Sequence, residues 1–239
     1  MNKILLSPPF SNIKLLSSYK NTTRITGTYT LYPRPGLHRV LTTLRKIDGG
    51  WSNNVGLRNP GIFKANSEIV SIAEINKADF ELMLYVLDEN PNVHSVEFNI
   101  SCPNVDITGI RSDVLYVANQ CFDNVIVKLP HNISDYEVCS LLEKGDFIPH
   151  VSNTKPSPRG SISGISLVER NISTIELIKK ERPDIKVIAG GGIYNMDIAK
   201  RYYNSGADML SLSTILINPF KAYRLINELL EYHKATKDK

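Results

Sequence analysis

The sequence predicts an α/β protein whose fold class is a (β/α)8 TIM barrel. Three observations support this prediction. Short β-rich runs alternate with longer segments of helical periodicity, the runs number eight, and 239 residues is a common length for one barrel. Parallel strands joined by right-handed crossovers close into a barrel when eight such units follow one another. We therefore expect a single domain over residues 1–239.

The candidate strands are short runs rich in apolar and β-branched residues. They lie at residues 4–7, 24–30, 68–75, 95–101, 124–130, 147–153, 184–191 and 208–215. Candidate helices carry apolar residues at every third or fourth position, and they lie at 77–90, 112–122, 133–145, 173–183, 195–206 and 218–234. Ser134-Asp135 and Gly145 mark the beginning and end of the third of these helices, and Asn195 and Gly206 bound the fifth.

The first quarter fits the alternation least well. The segment 20–51 is rich in Pro, Gly and Arg and contains no helical pattern after the strand TGTYT. We expect it to form a small hairpin layer over one mouth of a barrel that is shorter than usual.

Composition limits the function classes. A formal charge of +4 is spread along the chain, and the C-terminal HKATKDK is typical of a solvated end, so nucleic-acid binding is not expected. Cys102, Cys121 and Cys139 lack CxxC spacing, which favours a reducing compartment and argues against structural zinc. The apolar run at the N-terminus is too short for a secretory signal, and no window approaches the roughly 18 apolar residues of a membrane span. We expect a cytosolic protein that binds no membrane.

Polar residues follow several predicted strands directly. In a barrel the carboxyl ends of the strands face one mouth, so these side chains converge. They are Thr28, Thr30, Asn99, Cys102, Asn104, Lys128, Asn153, Gly190 to Gly192, Ser213 and Thr214.

The run Gly190-Gly191-Gly192 and the hydroxyls of Ser213 and Thr214 resemble the phosphate site that many barrels build from their last two loops. Glycines let the backbone N–H groups approach an anion, and the segment YNMDIAK adds the dipole of a helix start. The alternative is a plain tight turn. The position within the alternation favours the phosphate site.

Lys128 and Cys102 each have two interpretations. A lysine at the end of an apolar strand either faces an anionic ligand in the mouth or lies on the rim beside a structural carboxylate. Cys102, in NISCPNV, is either a small buried apolar residue or a thiolate base flanked by amides that bind a planar polar substrate. Cys121 and Cys139 fall within helical patterns and are interpreted as packing residues.

Several motifs, in order, resemble those of dihydroorotate dehydrogenase, specifically its class 1 cytosolic branch. They are TGTYTLYPRPG, GWSNNVGLRNPG, NISCPNV, VKLP, PRGSISG after HVSNT, VIAGGGI and SGADMLSLSTIL. The resemblance runs from about Ile25 to the last helix, and the order of the motifs is more specific than any one of them. A cysteine at position 102 distinguishes this branch from the membrane-associated class, in which a serine is expected.

The resemblance implies an FMN-containing (β/α)8 barrel that oxidises dihydroorotate to orotate in pyrimidine biosynthesis. Cys102 matches the catalytic base, which takes a proton from the substrate while hydride passes to flavin N5. Lys128 matches a lysine beside the flavin ring, where a cation stabilises the reduced flavin. The resemblance implies substrate-binding amides at Asn53, Asn99, Asn104 and Asn153, and FMN contacts at Thr28, Ser163, Gly164, Gly191, Gly192, Ser213 and Thr214.

Two departures from the family pattern leave alternatives open. Gly27 stands where the family has a lysine, so one cationic contact is missing, and Ser213 replaces a glycine, where it either crowds the phosphate or donates a further hydrogen bond. Two other functions therefore remain: a flavin- or phosphate-binding barrel without activity, and an oxidoreductase for another dihydropyrimidine. The family favours a homodimer. Its electron acceptor is either fumarate or NAD, the latter through a partner subunit that carries FAD and an iron–sulfur cluster.

Overall fold

In the computed structural model of the chain, the described residues are 1–36, 38, 42–100, 110–158 and 160–237. Twelve strands lie within them: β1 (Ile4–Leu6), β2 (Thr23–Tyr29), β3 (Arg45–Ile47), β4 (Gly50–Asn53), β5 (Ile69–Ile72), β6 (Ser95–Asn99), β7 (Asn124–Lys128), β8 (Ile148–Val151), β9 (Lys155–Ser157), β10 (Gly160–Gly164), β11 (Ile188–Gly190) and β12 (Met209–Leu212).

Six α-helices complete the described secondary structure: α1 (Asp79–Asp88), α2 (Ser112–Cys121), α3 (Asp135–Leu142), α4 (Val168–Glu181), α5 (Met196–Asn204) and α6 (Pro219–Lys237). Short 3-10 turns lie at Phe10–Asn12, Lys14–Leu16, Ile62–Lys64, Ile165–Leu167 and Thr214–Ile217. Within the described ranges, no helix is both long and apolar enough to cross a membrane.

Eight strands form a closed barrel in the order β1-β12-β11-β8-β7-β6-β5-β2, and every pairing in it is parallel. Each of the eight candidate strands of the sequence overlaps one of these strands. The predicted (β/α)8 barrel is therefore confirmed.

A separate antiparallel sheet has the order β3-β4-β10-β9. Its first two strands are the hairpin layer expected in the Pro- and Gly-rich first quarter. The other two strands come from the crossover between β8 and β11, a segment rich in Ser, Gly and Pro whose pattern did not predict strands. Register pairs Asn53 with Ser161 and Trp51 with Ser163, so the sheet joins two distant parts of the chain.

The helices differ from prediction mainly at their ends. α4 begins at Val168, five residues before the predicted start at residue 173, because the turn Ile165–Leu167 leads directly into it. α3 ends at Leu142, before Gly145. In the described part of the crossovers from β1 to β2 and from β2 to β5, 3-10 turns lie where a barrel commonly places a helix.

Candidate functional site

The barrel interior has an apolar lower layer and a polar upper layer. The lower layer is a buried cluster of Leu5, Ile25, Ile69, Ile126, Ile188 and Met209. Side chains of a strand alternate between its two faces, so the side chain two residues further along each strand again points inward. Those positions are Ser7, Gly27, Ser71, Lys128, Gly190 and Ser211, nearer the carboxyl ends of the strands. The polar residues at these positions lie at the end of the barrel where barrel active sites lie.

A cavity of about 320 Å³ opens at this end. Its size is within the range of small-molecule sites. Eight residues that the sequence predicted for the site line it: Asn53, Lys128, Asn153, Ser163, Gly191, Gly192, Ser213 and Thr214. Cys102 and Asn104 lie outside the described residues. Thr28, Asn99 and Gly164 are not among the lining residues.

A chain of hydrogen bonds leads from the cavity wall into the barrel. Asn153 Nδ2 donates to Asn99 Oδ1 at 3.5 Å, and Asn99 Nδ2 donates to Thr28 Oγ1 at 3.2 Å. The Thr28 and Ser71 hydroxyls are 3.1 Å apart, and Ser71 Oγ donates to Glu97 Oε1 at 2.7 Å. Since a hydroxyl has one proton, Thr28 must donate to Ser71. The chain runs in one direction and ends on a carboxylate, which fixes the orientation of both amides.

Glu97 and His150 form a fully buried pair at the end of this chain. His150 Nδ1 lies 2.5 Å from Glu97 Oε2, and both side chains are 0% exposed. Burial alone would raise the pKa of Glu97, but His150, Lys128 and the Ser71 hydroxyl together hold that pKa at about 2. Burial lowers the pKa of His150. An ionised Glu97 is thus held against the Nδ1 side of the buried imidazole.

Lys128 provides the positive charge that balances Glu97. It is 8% exposed, stands in register with Asn99 on one side and His150 on the other, and lies on the cavity wall. Its ammonium group donates to no acceptor in the described ranges. The second interpretation of Lys128 placed it on the rim beside a structural carboxylate. The carboxylate is present, but the lysine is buried and not on the rim. Lys128 is thus held between a buried carboxylate and the cavity that it lines.

The last two loops of the barrel supply hydrogen-bond donors to the same cavity. The backbone N–H groups of Gly191, Gly192 and Ile193 donate to no acceptor among the described residues. All three residues line the cavity, as do Ser213 and Thr214. Unpaired amides beside hydroxyls suit a phosphate group, so the chemistry of this donor set fits the phosphate of FMN.

Two hydroxyls at this end have partners within the protein. Ser213 Oγ donates to the Pro8 carbonyl at 2.9 Å, and Thr214 Oγ1 is 3.0 Å from the Tyr194 hydroxyl. The Ser213 hydroxyl thus ties the end of β12 to the loop after β1. This contact explains the serine at position 213. Neither crowding of the phosphate nor a further hydrogen bond to it is needed.

Close packing accounts for the glycines at positions 164 and 27. A Cβ on Gly164 would lie 2.2 Å from the Gly49 carbonyl oxygen, so glycine lets β10 approach the hairpin turn. At Gly27, φ is +116° and a Cβ would lie 2.4 Å from the Ser71 carbonyl oxygen. This backbone excludes the lysine that the family pattern carries there. The fold of β2 therefore accounts for the absence of this cation.

Three residues of the site were missed by sequence reasoning. Glu97 was treated as part of an apolar run, and His150 and Arg58 were not considered. The alternation of side chains along a strand could have identified Glu97, because it precedes Asn99 by two residues and lies on the same face. Arg58 lies in a loop and lines the cavity, and no pattern marks such a position.

The packing role predicted for Cys121 is wrong, because its side chain is exposed at the end of α2. Cys139 in α3 is half-buried.

Comparison with known proteins agrees with the motifs. The catalytic subunits of dihydroorotate dehydrogenase B (NAD(+)) from Bacillus mycoides (strain KBAB4) and Bacillus anthracis (strain A0248) are each 26% identical to the chain over 219 residues, covering 76% of this chain and 71% of the relative. No family model matches the chain. These relatives confirm the predicted resemblance to dihydroorotate dehydrogenases and agree with its class 1 branch.

Solved structures give the same fold. Ligand-free DHODH from Eimeria tenella has a TM-score of 0.77 at 18% identity and covers 98% of this chain and 85% of its own. The complex of the Eimeria tenella enzyme with ferulenol has a TM-score of 0.75 at 17% identity, with 98% and 82% covered. At these identities the likeness concerns the barrel and not its chemistry.

Proposed function

We propose that this relative of the dihydroorotate dehydrogenases is an FMN-dependent enzyme that oxidises dihydroorotate to orotate. One observation carries the proposal: a single cavity brings together Asn53, Lys128, Asn153 and the two donor loops after β11 and β12. These groups come from motifs that resemble the family in the same order along the chain. The names of the curated relatives support the same activity.

FMN fits the donors of the cavity. Gly191, Gly192, Ser213 and Thr214 would hold its phosphate, and Ser163 on β10 would contact it from the sheet over the mouth. Lys128 would place a positive charge beside the flavin ring. When bound, FMN supplies the acceptor for the hydride that leaves the substrate.

The substrate is held by amides and by a cation. Asn53 and Asn153 line the cavity and, with Asn104 of the NISCPNV motif, offer donors and acceptors to a pyrimidine ring. Asn99 does not line the cavity, and it acts by orienting Asn153 through the chain that ends on Glu97. The carboxylate of dihydroorotate also needs a cationic partner. Arg58 supplies it, because it lines the cavity and forms no ion pair with any residue in the described ranges.

Cys102 acts as the general base. It follows Asn99 by three residues, so the chain leaves β6 at the cavity end of the barrel just before it. As a thiolate it takes the proton from the ring carbon next to the one that releases hydride, and the carbon–carbon double bond of orotate forms between them. The proton would go to sulfur, and bound FMN would supply the two-electron acceptor that the oxidation requires.

Variants of Cys102 test this role directly. We expect Cys102→Ser and Cys102→Ala to bind FMN as the unmodified protein does but to reduce it about 100-fold more slowly or worse with dihydroorotate, since general base catalysis contributes about 10²–10⁴-fold. Cys121→Ala is the matched control, because this exposed thiol lies in α2, and it should react normally. An unchanged rate in the Cys102 variants would show that another group removes the proton.

The role of Arg58 is tested by ligands with and without a carboxylate. In Arg58→Ala we expect orotate to bind about tenfold more weakly, because one charge-assisted hydrogen bond contributes about 1.5–3 kcal/mol. Uracil lacks the carboxylate and should bind Arg58→Ala and the unmodified protein equally. Titration of the flavin absorbance measures both. Equal weakening of the two ligands would mean that Arg58 shapes the cavity without contacting a carboxylate.

Gly27 favours one other candidate, an oxidoreductase for a dihydropyrimidine without a carboxylate. The backbone at Gly27 excludes a lysine, so one cationic contact to orotate is absent. This candidate requires that dihydrouracil reduces the flavin and that dihydroorotate does not. A barrel that binds flavin without turning over either compound is the non-catalytic alternative. The electron acceptor, a homodimer, an electron-transfer subunit and a cytosolic location stay predictions.

A further inference from the structure

A second cavity, of about 640 Å³, lies beside the first on the outer side of β2. Ile25 points into the barrel interior, so its neighbours Arg24 and Thr26 point outward, and both line this cavity. The space lies by the crossover from β2 to β5, where the turn Ile62–Lys64 occupies part of the described chain. Its lining therefore comes from loops and from one face of a strand.

The lining of this second cavity is strongly cationic. Arg24, Arg34, Arg58 and Lys64 contribute to it, and no aspartate or glutamate of the described chain is among the residues that line it. None of the four forms an ion pair with a carboxylate of the described residues. Arg24 donates from Nε to the Ser11 carbonyl at 3.1 Å. Four like charges around one space repel one another unless an anion lies between them.

The loops that carry two of these cations are held firmly. Arg34 and Asn59 exchange backbone hydrogen bonds of 2.9 and 3.1 Å, and Arg58 directly precedes Asn59. The Asn59 side chain is buried and accepts from the backbone N–H groups of Thr30, at 3.2 Å, and Gly61, at 2.8 Å. Both arginines thus extend from a fixed frame, and less ordering is needed on binding than for cations on mobile loops.

Thr26 forms part of the wall of the second cavity. The residue is 6% exposed, and its hydroxyl has no hydrogen-bond partner in the part of the chain that the structure describes. A buried hydroxyl without a partner carries a desolvation cost. Thr26 contributes to the wall of the second cavity, but its hydroxyl oxygen is enclosed and does not face the space.

We propose that this cavity binds a multivalent phosphate anion. The guanidinium groups of Arg24 and Arg34 match phosphate oxygens in pairs, and Lys64 adds charge. This site is distinct from the phosphate-binding loops of the first cavity, which lie after β11 and β12. Arg58 lines both cavities, so the anion sits next to the substrate cavity.

Isothermal titration of the FMN-loaded protein with inorganic tripolyphosphate and with ATP tests the proposal. We expect both to bind, and binding to weaken about 100-fold in the double variant Arg34→Ala/Lys64→Ala, a factor of about ten for each cation removed. Neither residue lines the catalytic cavity. The matched control is Lys221→Ala/Arg224→Ala on α6, which removes the same charge elsewhere and should bind normally.

Three outcomes would overturn the proposal: no binding of either anion at millimolar concentration, equal loss in both double variants, or equal binding of uncharged adenosine and ATP. Tighter binding of ATP than of tripolyphosphate would support a nucleotide as the ligand, and equal binding would support the phosphate chain alone. The reduction of flavin by dihydroorotate is measured on the same Arg34→Ala/Lys64→Ala sample and should be unchanged. The anion site and the proposed enzyme activity can therefore fail separately.

Discussion

Glu97 is the residue on which the polar end of the barrel depends. It is 0% exposed, balances Lys128, and accepts hydrogen bonds from Ser71 and His150. Removing one partner of a buried ion pair leaves an uncompensated charge, which is among the most costly changes a core can undergo. Glu97 interrupts an otherwise apolar strand, and the hydrogen-bond chain of the site ends on it.

We expect Glu97→Gln to lower the free energy of unfolding by about 3–5 kcal/mol, because Lys128 loses its counter-charge in a buried place. Urea unfolding followed by circular dichroism measures the change. The control is Glu143→Gln, an exposed residue at the end of α3, which should alter stability by less than about 0.5 kcal/mol. Similar values for the two variants would show that Glu97 does not pair with Lys128.

Gly192 is required by the loop after β11. Its φ is +71°, and a Cβ would lie 2.7 Å from the Gly164 carbonyl oxygen. We expect Gly192→Ala to shift the loop and to weaken FMN binding about tenfold or more. Gly49→Ala is a matched control, since its φ of +66° is similar but its nearest neighbour is 3.8 Å away. Flavin fluorescence titration compares the two variants, and equal affinities would contradict the close approach.

At the scale of elements, capping explains why the third and fifth predicted helices lie where the sequence placed them. Ser134 and Glu137 form a reciprocal capping box at the start of α3. At the end of α5 the Gly206 and Ala207 N–H groups donate to the Tyr203 and Tyr202 carbonyls, as in a Schellman motif.

Ser134→Ala tests the capping box. We expect it to reduce the free energy of unfolding by about 1 kcal/mol, since an N-terminal donor of α3 loses its acceptor. Ser173→Ala in the middle of α4 is the control, because its hydroxyl only bonds back to the Glu169 carbonyl in the same helix. Thermal unfolding of the two variants gives the comparison. A neutral Ser134→Ala would mean that water caps the helix equally well.

The eight barrel strands could be predicted because each is a short apolar run between turn residues, and barrel closure depends on that pattern. β9 and β10 could not, because Ser, Gly and Pro carry no strand signal and only pairing with β4 makes the segment extended. The predicted site residues Lys128, Asn153 and Ser213 meet in one cavity, since strand ends converge. The position of Arg58 depends on loop packing, which local sequence does not encode.

For the whole molecule, the buried pair makes stability depend on pH. The pKa of Glu97 is about 2 in the folded protein, below its ordinary value of 4.5, so the unfolded chain binds the extra proton first as pH falls. Burial also lowers the pKa of His150. Both groups therefore stabilise the fold at neutral pH, and that contribution declines below about pH 6.5 and further between about pH 4.5 and 2.

Acid titration of the fold checks this dependence. We expect the urea midpoint of the unmodified protein to fall steeply below about pH 4.5, and Glu97→Gln to lose much of that slope because it lacks the titrating group. An equal pH dependence of the urea midpoint in the two proteins would show that carboxylates other than Glu97 cause it. The single-domain organisation over residues 1–239 stays a prediction, and a single transition in the same experiment would support it.

The central claim is that one cavity of this barrel holds FMN and dihydroorotate together for reaction. The most direct measurement is the anaerobic visible spectrum of the FMN-supplemented protein before and after dihydroorotate is added. We predict that the flavin band bleaches with dihydroorotate and persists with dihydrouracil. A bound flavin that stays oxidised at saturating dihydroorotate would contradict the claim.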